Sequence, residues 1–248
     1  MLLHAVCVMS NHWHGVVTDP EARLPEFIET FHKLLAKVQN ATLGRCENFW
    51  SSDKTSVVLL VSERDVLDKM AYTLANPTLA GLVRNPDEWP GVISRGIAER
   101  SSAEMPDVFF DGDGELPESV TLEFLRPPIL KASSDLDVHL LVRDRVAKLV
   151  RAAREDRLRH GAPFLGPRAV LRQSVDTKPN AQAPRRGLNP RIAAKVSELR
   201  LAAIDAMRRF QRSYRLAWEQ RQAGHYEVIF PAGTYALRIF AGVRCAPA

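Results

Sequence analysis

The first pattern along the chain is an alternating apolar run from Ala5-Val6-Cys7-Val8 to Val16-Val17, with Met9-Ser10-Asn11-His12-Trp13-His14-Gly15 inside it. Alternation of this kind predicts one β-strand. Apolar positions 24, 27, 28, 31, 34, 35 and 38 then step at helical spacing, so a helix over residues 24–38 should pack on one face of the sheet. Residues 44–52 have no regular period, and residues 56–61 read as a second apolar strand. A second helix follows, with 66, 67, 70, 71 and 74 on its apolar side, Ser62 as N-cap, and Pro77 limiting its continuation beyond Asn76.

Past Gly81-Leu82-Val83 the chain turns Pro-, Gly- and acid-rich over residues 85–105, the predicted boundary of a first module covering residues 1–95. In a linker over 96–130, residues 108–110 and 120–124 flank Asp111-Gly112-Asp113-Gly114 and predict a hairpin. The acidic pattern there faintly suggests calcium but lacks the rest of a calcium loop. Residues 131–248 should form a third, mainly helical unit. Its helices are predicted from Asp137 to the stop at Gly161, over 167–173, and over 190–222 along the stripe Ile192, Val196, Leu199, Ala203, Met207, Phe210, Tyr214 and Trp218. A polar, Pro-rich stretch over 174–187 reads as a basic linker. A short strand at 226–230 precedes a tail that fits either strand or helix, and no repeat is visible.

Composition adds limits. At 248 residues and 46% hydrophobic content there is material for one large or two smaller cores. Three cysteines (Cys7, Cys46 and Cys245) without paired spacing argue against a disulfide framework or a Cys-rich zinc site and fit a reducing, cytoplasmic setting. No stretch approaches a membrane span, and the opening run lacks the basic start of a signal peptide. The net charge of +5 is unevenly spread: residues 131–221 hold 21 Lys and Arg against nine Asp and Glu, a local +12 that leaves −7 for the remainder. A basic second half suits a polyanionic partner, although a solvated basic surface has the same composition.

The candidate chemistry starts at His12 and His14. Two residues apart on a strand, they project from one side, about 6–7 Å apart along the rise, and can converge on one divalent ion. Alone, such a pair is more often structural, so a third ligand is needed. Asp65, Lys69, Tyr72 and Asn76 share the polar face of the second helix. Asn76 can offer an amide oxygen, and Lys69 positive charge beside the Tyr72 phenol. A phenol with a pKa near ~10 is a poor nucleophile unless a metal polarises the electrophile and positive charge stands close. Further candidates are Phe49 and Trp50, able to stack on bases or to plug the sheet edge, and Arg168 and Arg172 on a short helix that could complete a helix-turn-helix. Arg185 and Arg186 lie in the basic linker.

Asn11-His12-Trp13-His14, followed by Tyr72-x-x-x-Asn76-Pro77-x-x-Ala80-Gly81-Leu82-Val83, resembles the single-tyrosine HUH transposases, in particular the REP-associated tyrosine transposase branch. The resemblance covers residues 1–95 and extends to Glu88-Trp89-Pro90, which is similar to the family's closing segment. It implies an α+β fold with a ferredoxin-like antiparallel sheet core and cleavage of single-stranded or hairpin DNA. It also implies His12 and His14 as metal ligands with Asn76 helping, Tyr72 as the nucleophile that forms a 5′-phosphotyrosine link, and Mg2+ or Mn2+ as cofactor. Lys69 would steady the phenolate. Family members carry a strand and a helix before the histidine-bearing strand, whereas this sequence starts almost on it. A late start or a truncated remnant with unpaired sheet edges is therefore expected. Two other functions fit the same residues: a domesticated DNA-binding remnant without catalysis, and a metal-dependent nuclease that uses water.

Overall fold

The computed structural model describes residues 1–51, 55–105, 117–175, 177 and 191–247. They form a mixed α/β structure of small two-stranded sheets and helices. In chain order the first half contains β1 (Leu2–Val8), β2 (Trp13–Thr18), α1 (Leu24–Leu43), β3 (Leu59–Leu60), α2 (Glu63–Leu79), β4 (Arg100–Glu104) and β5 (Ser119–Glu123). The second half contains α3 (Asp135–Arg159), α4 (Pro167–Arg172), β6 (Ile192–Ala193), α5 (Ser197–Gln222) and α6 (Ala236–Ala241). Among the described residues no helix is long and apolar enough to cross a membrane.

The single strand expected over residues 5–17 is a hairpin. β1 and β2 pair antiparallel, from Leu2 opposite Thr18 to Val8 opposite Trp13. The Met9 N–H donates to the His12 carbonyl at 2.8 Å and turns the chain at Ser10-Asn11. Apolar alternation runs through both arms, so it conceals a turn this short. The register slips between Leu3 and Ala5. There His4 is buried, its Nδ1 donating to the Leu125 carbonyl at 2.7 Å and its Nε2 accepting from the Thr18 hydroxyl at 2.8 Å. The free edge of β1 is covered by later chain: Val8 N–H donates to Val92, Ser94 N–H to Val6, and Leu125 N–H to Leu3. The outer edge of β2 has no strand partner among the described residues.

Trp13 projects away from the histidine side of β2 and meets α1. Its ring lies 5.0 Å from that of Phe31, and its Nε1 donates to His32 Nε2 at 3.2 Å. α1 runs five residues beyond the predicted end, to a left-handed C-cap at Gly44.

α2 is the centre of the molecule. Ser62 and Asp65 form a reciprocal capping box at its start. The helix passes through Pro77 and ends at Leu79, three residues beyond Asn76. Its last turn is closed by the Ala80 N–H on the Asn76 carbonyl and the Gly81 N–H on Thr78. Val66, Leu67, Met70 and Leu74 pack on Ala5 and Val16 of the hairpin and also on Leu130, Val138 and Val142. The last two belong to α3, so a helix of the basic half shares its core with the histidine hairpin. Arg145 of α3 reaches Asp68 of α2 at 3.1 Å, and Lys195 joins the same carboxylate.

Elsewhere the outcomes are mixed. The strand expected over 56–61 shrinks to β3, which pairs parallel with β6. β5 matches the second arm of the expected hairpin, but its partner is β4, while residues 108–110 and the turn at 111–114 lie outside the described residues. The helix expected over 190–222 divides into β6 and α5. The strand expected over 226–230 does not form: Phe230 makes only an isolated bridge to Cys245, and the tail closes with α6. Phe230, Ala217 and Val243 form a small satellite core there.

Gly81 sits at φ +74, and a β-carbon there would lie 2.2 Å from the Arg157 guanidinium, which donates to the Pro163 carbonyl and stacks on Phe164. Gly161 has φ +61 and open space around it. Gly161→Ala should therefore cost about 1–2 kcal/mol of backbone strain. Gly81→Ala should cost more in urea unfolding, because it displaces Arg157 as well; equal costs would show that the contact contributes nothing.

Candidate functional site

The hairpin and α2 bring together the four residues picked out at opposite ends of the first module. His12 stands at the entry to β2 and His14 within it, with ring centroids 4.9 Å apart and edge to face. The Tyr72 ring meets His14 edge to face at 5.6 Å. Asn76, one turn along α2, is only 5% exposed, and its Nδ2 donates to His14 Nε2 at 3.0 Å. The Lys69 ammonium lies 5.2 Å from the centre of the Tyr72 ring. Tyr72 is 41% exposed, so its side chain is partly open to solvent on a helix that is otherwise largely buried. Asp65, on the same face by spacing, is not part of this group. It caps α2 and accepts from the backbone N–H of Lys195.

Electrostatics keeps the imidazoles neutral. Burial, then the neighbouring His12, then Lys69 push the His14 pKa down to about 4, and burial lowers that of His12. A neutral imidazole has the lone pair a divalent ion needs. Among the described residues no three His, Cys, Asp or Glu side chains gather as a metal site. What the cluster offers an ion is two imidazoles and one amide. The Asn76 amide now gives its N–H2 to His14; turned over, it presents Oδ1 to the same space.

Sequence reasoning gave two contributors no role at the site. Asn11 Oδ1 accepts from His12 Nδ1 at 2.6 Å, which fixes the ring and leaves Nε2 as the free lone pair. Trp89 is buried, and its Nε1 donates to the Val8 carbonyl at 3.0 Å, beside the Val8–Val92 bond. Together they brace the hairpin just before its turn. Asn11 is adjacent to the histidines in sequence, but nothing in local pattern connects Trp89 to Val8, 81 residues away.

The remaining candidates stand apart from this cluster. Trp50 stacks on His32 at 4.1 Å and donates to the His32 carbonyl, so α1 covers one of its faces, while Phe49 beside it stays exposed. Arg168 and Arg172 are exposed on the six-residue α4. That helix is not an independent reading unit: Val170 packs on the cluster of Cys7, Met9, Val83 and Trp89, and residues 165–166 hydrogen-bond to Gly81 and Leu82. Arg185 and Arg186 lie outside the described residues. Cys7 is buried, and burial pushes its thiol up to about 12, which makes it inert.

No protein-family model, curated protein or solved structure matches the chain.

His14 generates a pH prediction. Unfolded imidazoles titrate near ~6.5, whereas in the fold His14 titrates near 4, so between these values the unfolded chain binds more protons. Stability is therefore full above the unfolded value and falls as pH drops through that window. NMR titration should find the His14 ring neutral down to about pH 4, and His14→Phe should flatten the acid side of the urea-unfolding profile. A His14 ring titrating near ~6.5 would overturn the assignment.

Proposed function

We propose that the protein is a metal-dependent single-strand DNA transposase of the HUH type, with Tyr72 as nucleophile and the β1–β2 hairpin and α2 as parts of a ferredoxin-like core. The observation that carries this reading is the meeting of His12, His14, Tyr72 and Asn76, which are up to 64 positions apart in the chain, in one partly open cluster. A core built only for stability has no use for two neutral imidazoles, a buried amide and an exposed phenol packed against one another.

His12, His14 and Asn76 would hold Mg2+ or Mn2+, and a bound ion supplies charge neutralisation at a scissile phosphate. The chain's own residues do the rest. Asn11 orients His12, and the Lys69 ammonium, 5.2 Å from the centre of the Tyr72 ring, places positive charge beside the attacking group. The Tyr72 oxygen attacks phosphorus in line, its proton passing to solvent, and the 3′-oxygen leaves and is protonated. The strand then carries a free 3′-hydroxyl and a 5′-phosphotyrosine whose bond energy remains available for rejoining. The basic second half of the chain supports the reading through charge, since phosphate contacts dominate the affinity of such partners.

The test is covalent capture. The full chain, incubated with a labelled single-stranded hairpin oligonucleotide and Mn2+, should give an adduct that survives denaturation. Tyr72→Phe should abolish it, and His12→Ala should reduce it by about 10²-fold or more, the scale of losing one preorganised electrostatic element. Cleavage that persists in Tyr72→Phe but vanishes in His12→Ala would favour a hydrolytic nuclease, and binding without any adduct would favour a non-catalytic DNA-binding protein.

A further inference from the structure

A second feature lies on the side of α2 turned away from Tyr72. Leu74 is two positions further along, about 200° round the helix, so the two face roughly opposite directions. Leu74 borders a groove of about 370 Å³ between α3 and the segment 85–95, a size at the lower end of small-ligand sites. Its apolar floor is Leu74, Ile93, Val146 and Val150, with Leu74 and Val150 less than a tenth exposed. Four arginines border it, namely Arg95, Arg143, Arg151 and Arg154, and Asp87 is the one acid on its lining.

The arginines differ in what they already do. Arg154 is engaged, donating to the Arg84 carbonyl and the Asn85 amide oxygen. Arg143 and Arg151 have no hydrogen-bond or ion-pair partner among the described residues, in contrast to Arg145 and Lys148 on the same helix, which pair with Asp68 and Asp144. Arg143, Ala147 and Arg151 form one row at four-residue steps, about 12 Å from first to last along the axis. Ala147, the small side chain between the two cations in that row, also lines the groove.

We infer that this groove holds an unpaired nucleotide of a nucleic-acid strand, its base on the Leu74–Ile93–Val146–Val150 floor and its flanking phosphates on Arg143 and Arg151. A nucleotide combines a flat apolar face with anions on either side, which is the complement of this lining. An acidic peptide carries the charge without the flat face. That the strand is DNA rests on the transposase reading; that the occupant is a nucleotide rests on the groove alone. Because α2 separates groove and tyrosine, a strand engaging both wraps round that helix, and the groove serves a flank of the cleaved site.

Fluorescence anisotropy of the full chain with labelled oligothymidylate over a range of NaCl concentrations tests this. R143E/R151E should weaken binding by about tenfold or more and lower the magnitude of the salt slope by about 1.4, at ~0.7 per single-strand phosphate contact. A147W, which fills the floor and keeps every charge, should weaken binding several-fold and leave the slope unchanged. R200E/R208E, on exposed positions of α5, controls for net charge and should have a much smaller effect. An equal loss in that control, an unchanged affinity in A147W, or equal binding of labelled polyglutamate would overturn the inference; A147W decides alone if the double variant does not fold. Loss of the Tyr72 adduct with groove-dependent binding intact removes only the transposase reading, whereas an intact adduct with binding insensitive to the groove variants removes only the groove.

Discussion

Everything in the first half of the molecule depends on α2 being packed on two sides at once. The same four apolar side chains, Val66, Leu67, Met70 and Leu74, fill the space against the hairpin and against α3. This fixes the rotation of the helix about its axis, since a shift of one residue, about 100°, would bury Tyr72 and expose Met70. The site thus inherits its geometry from the core. Asn76 is held at His14 because the turn before it is locked in apolar contact, and the phenol is open because it sits on the narrow strip that neither neighbour covers.

What the sequence made legible was periodicity and chemistry at short range. The stripe on α2 and its N-cap at Ser62 were readable, because both arise from residues within one or two turns, whereas the reciprocal bond from Asp65 was not read. His12 and His14 stood out because imidazoles two apart on a strand share a direction. The hairpin was not legible, because Ser10-Asn11 falls in step with the alternation on either side. Nor did the apolar positions 138, 142, 146, 149, 150 and 153, which step at helical spacing in α3, reveal their partner: an amphipathic pattern says that a face is buried and leaves open against what. Val138 and Val142 could have faced any apolar surface, and only the fold places them on α2. The division of the predicted 190–222 helix has a similar cause, since Ile192 and Ala193 pair with β3 and Lys195 is held by Asp65 and Asp68.

The positive charge of the second half divides into two kinds. Some of its cations hold the molecule together: Arg145 and Lys195 converge on Asp68, Arg154 on the backbone after α2, and Arg157 on the loop leading to α4. These are local ion pairs and hydrogen bonds, and the partly buried Arg145–Asp68 pair is the least screened by solvent. Others, such as Arg143, Arg151, Arg200 and Arg208, face water. Composition alone could not separate the two kinds, because net charge counts a structural arginine and a waiting one alike.

The parallel pairing of β3 with β6 has a consequence for biogenesis. Leu59 and Leu60 meet Ile192 and Ala193 across more than 130 intervening positions, and Lys195 then docks on the start of α2. A ribosome releases the histidine hairpin and α2 long before the residues that clasp them. The nascent chain therefore passes through a stage in which Leu59, already more than half exposed in the finished protein, lacks its strand partner. Contacts so distant along the chain close slowly, and chaperone binding to the half-made protein would fall in that interval.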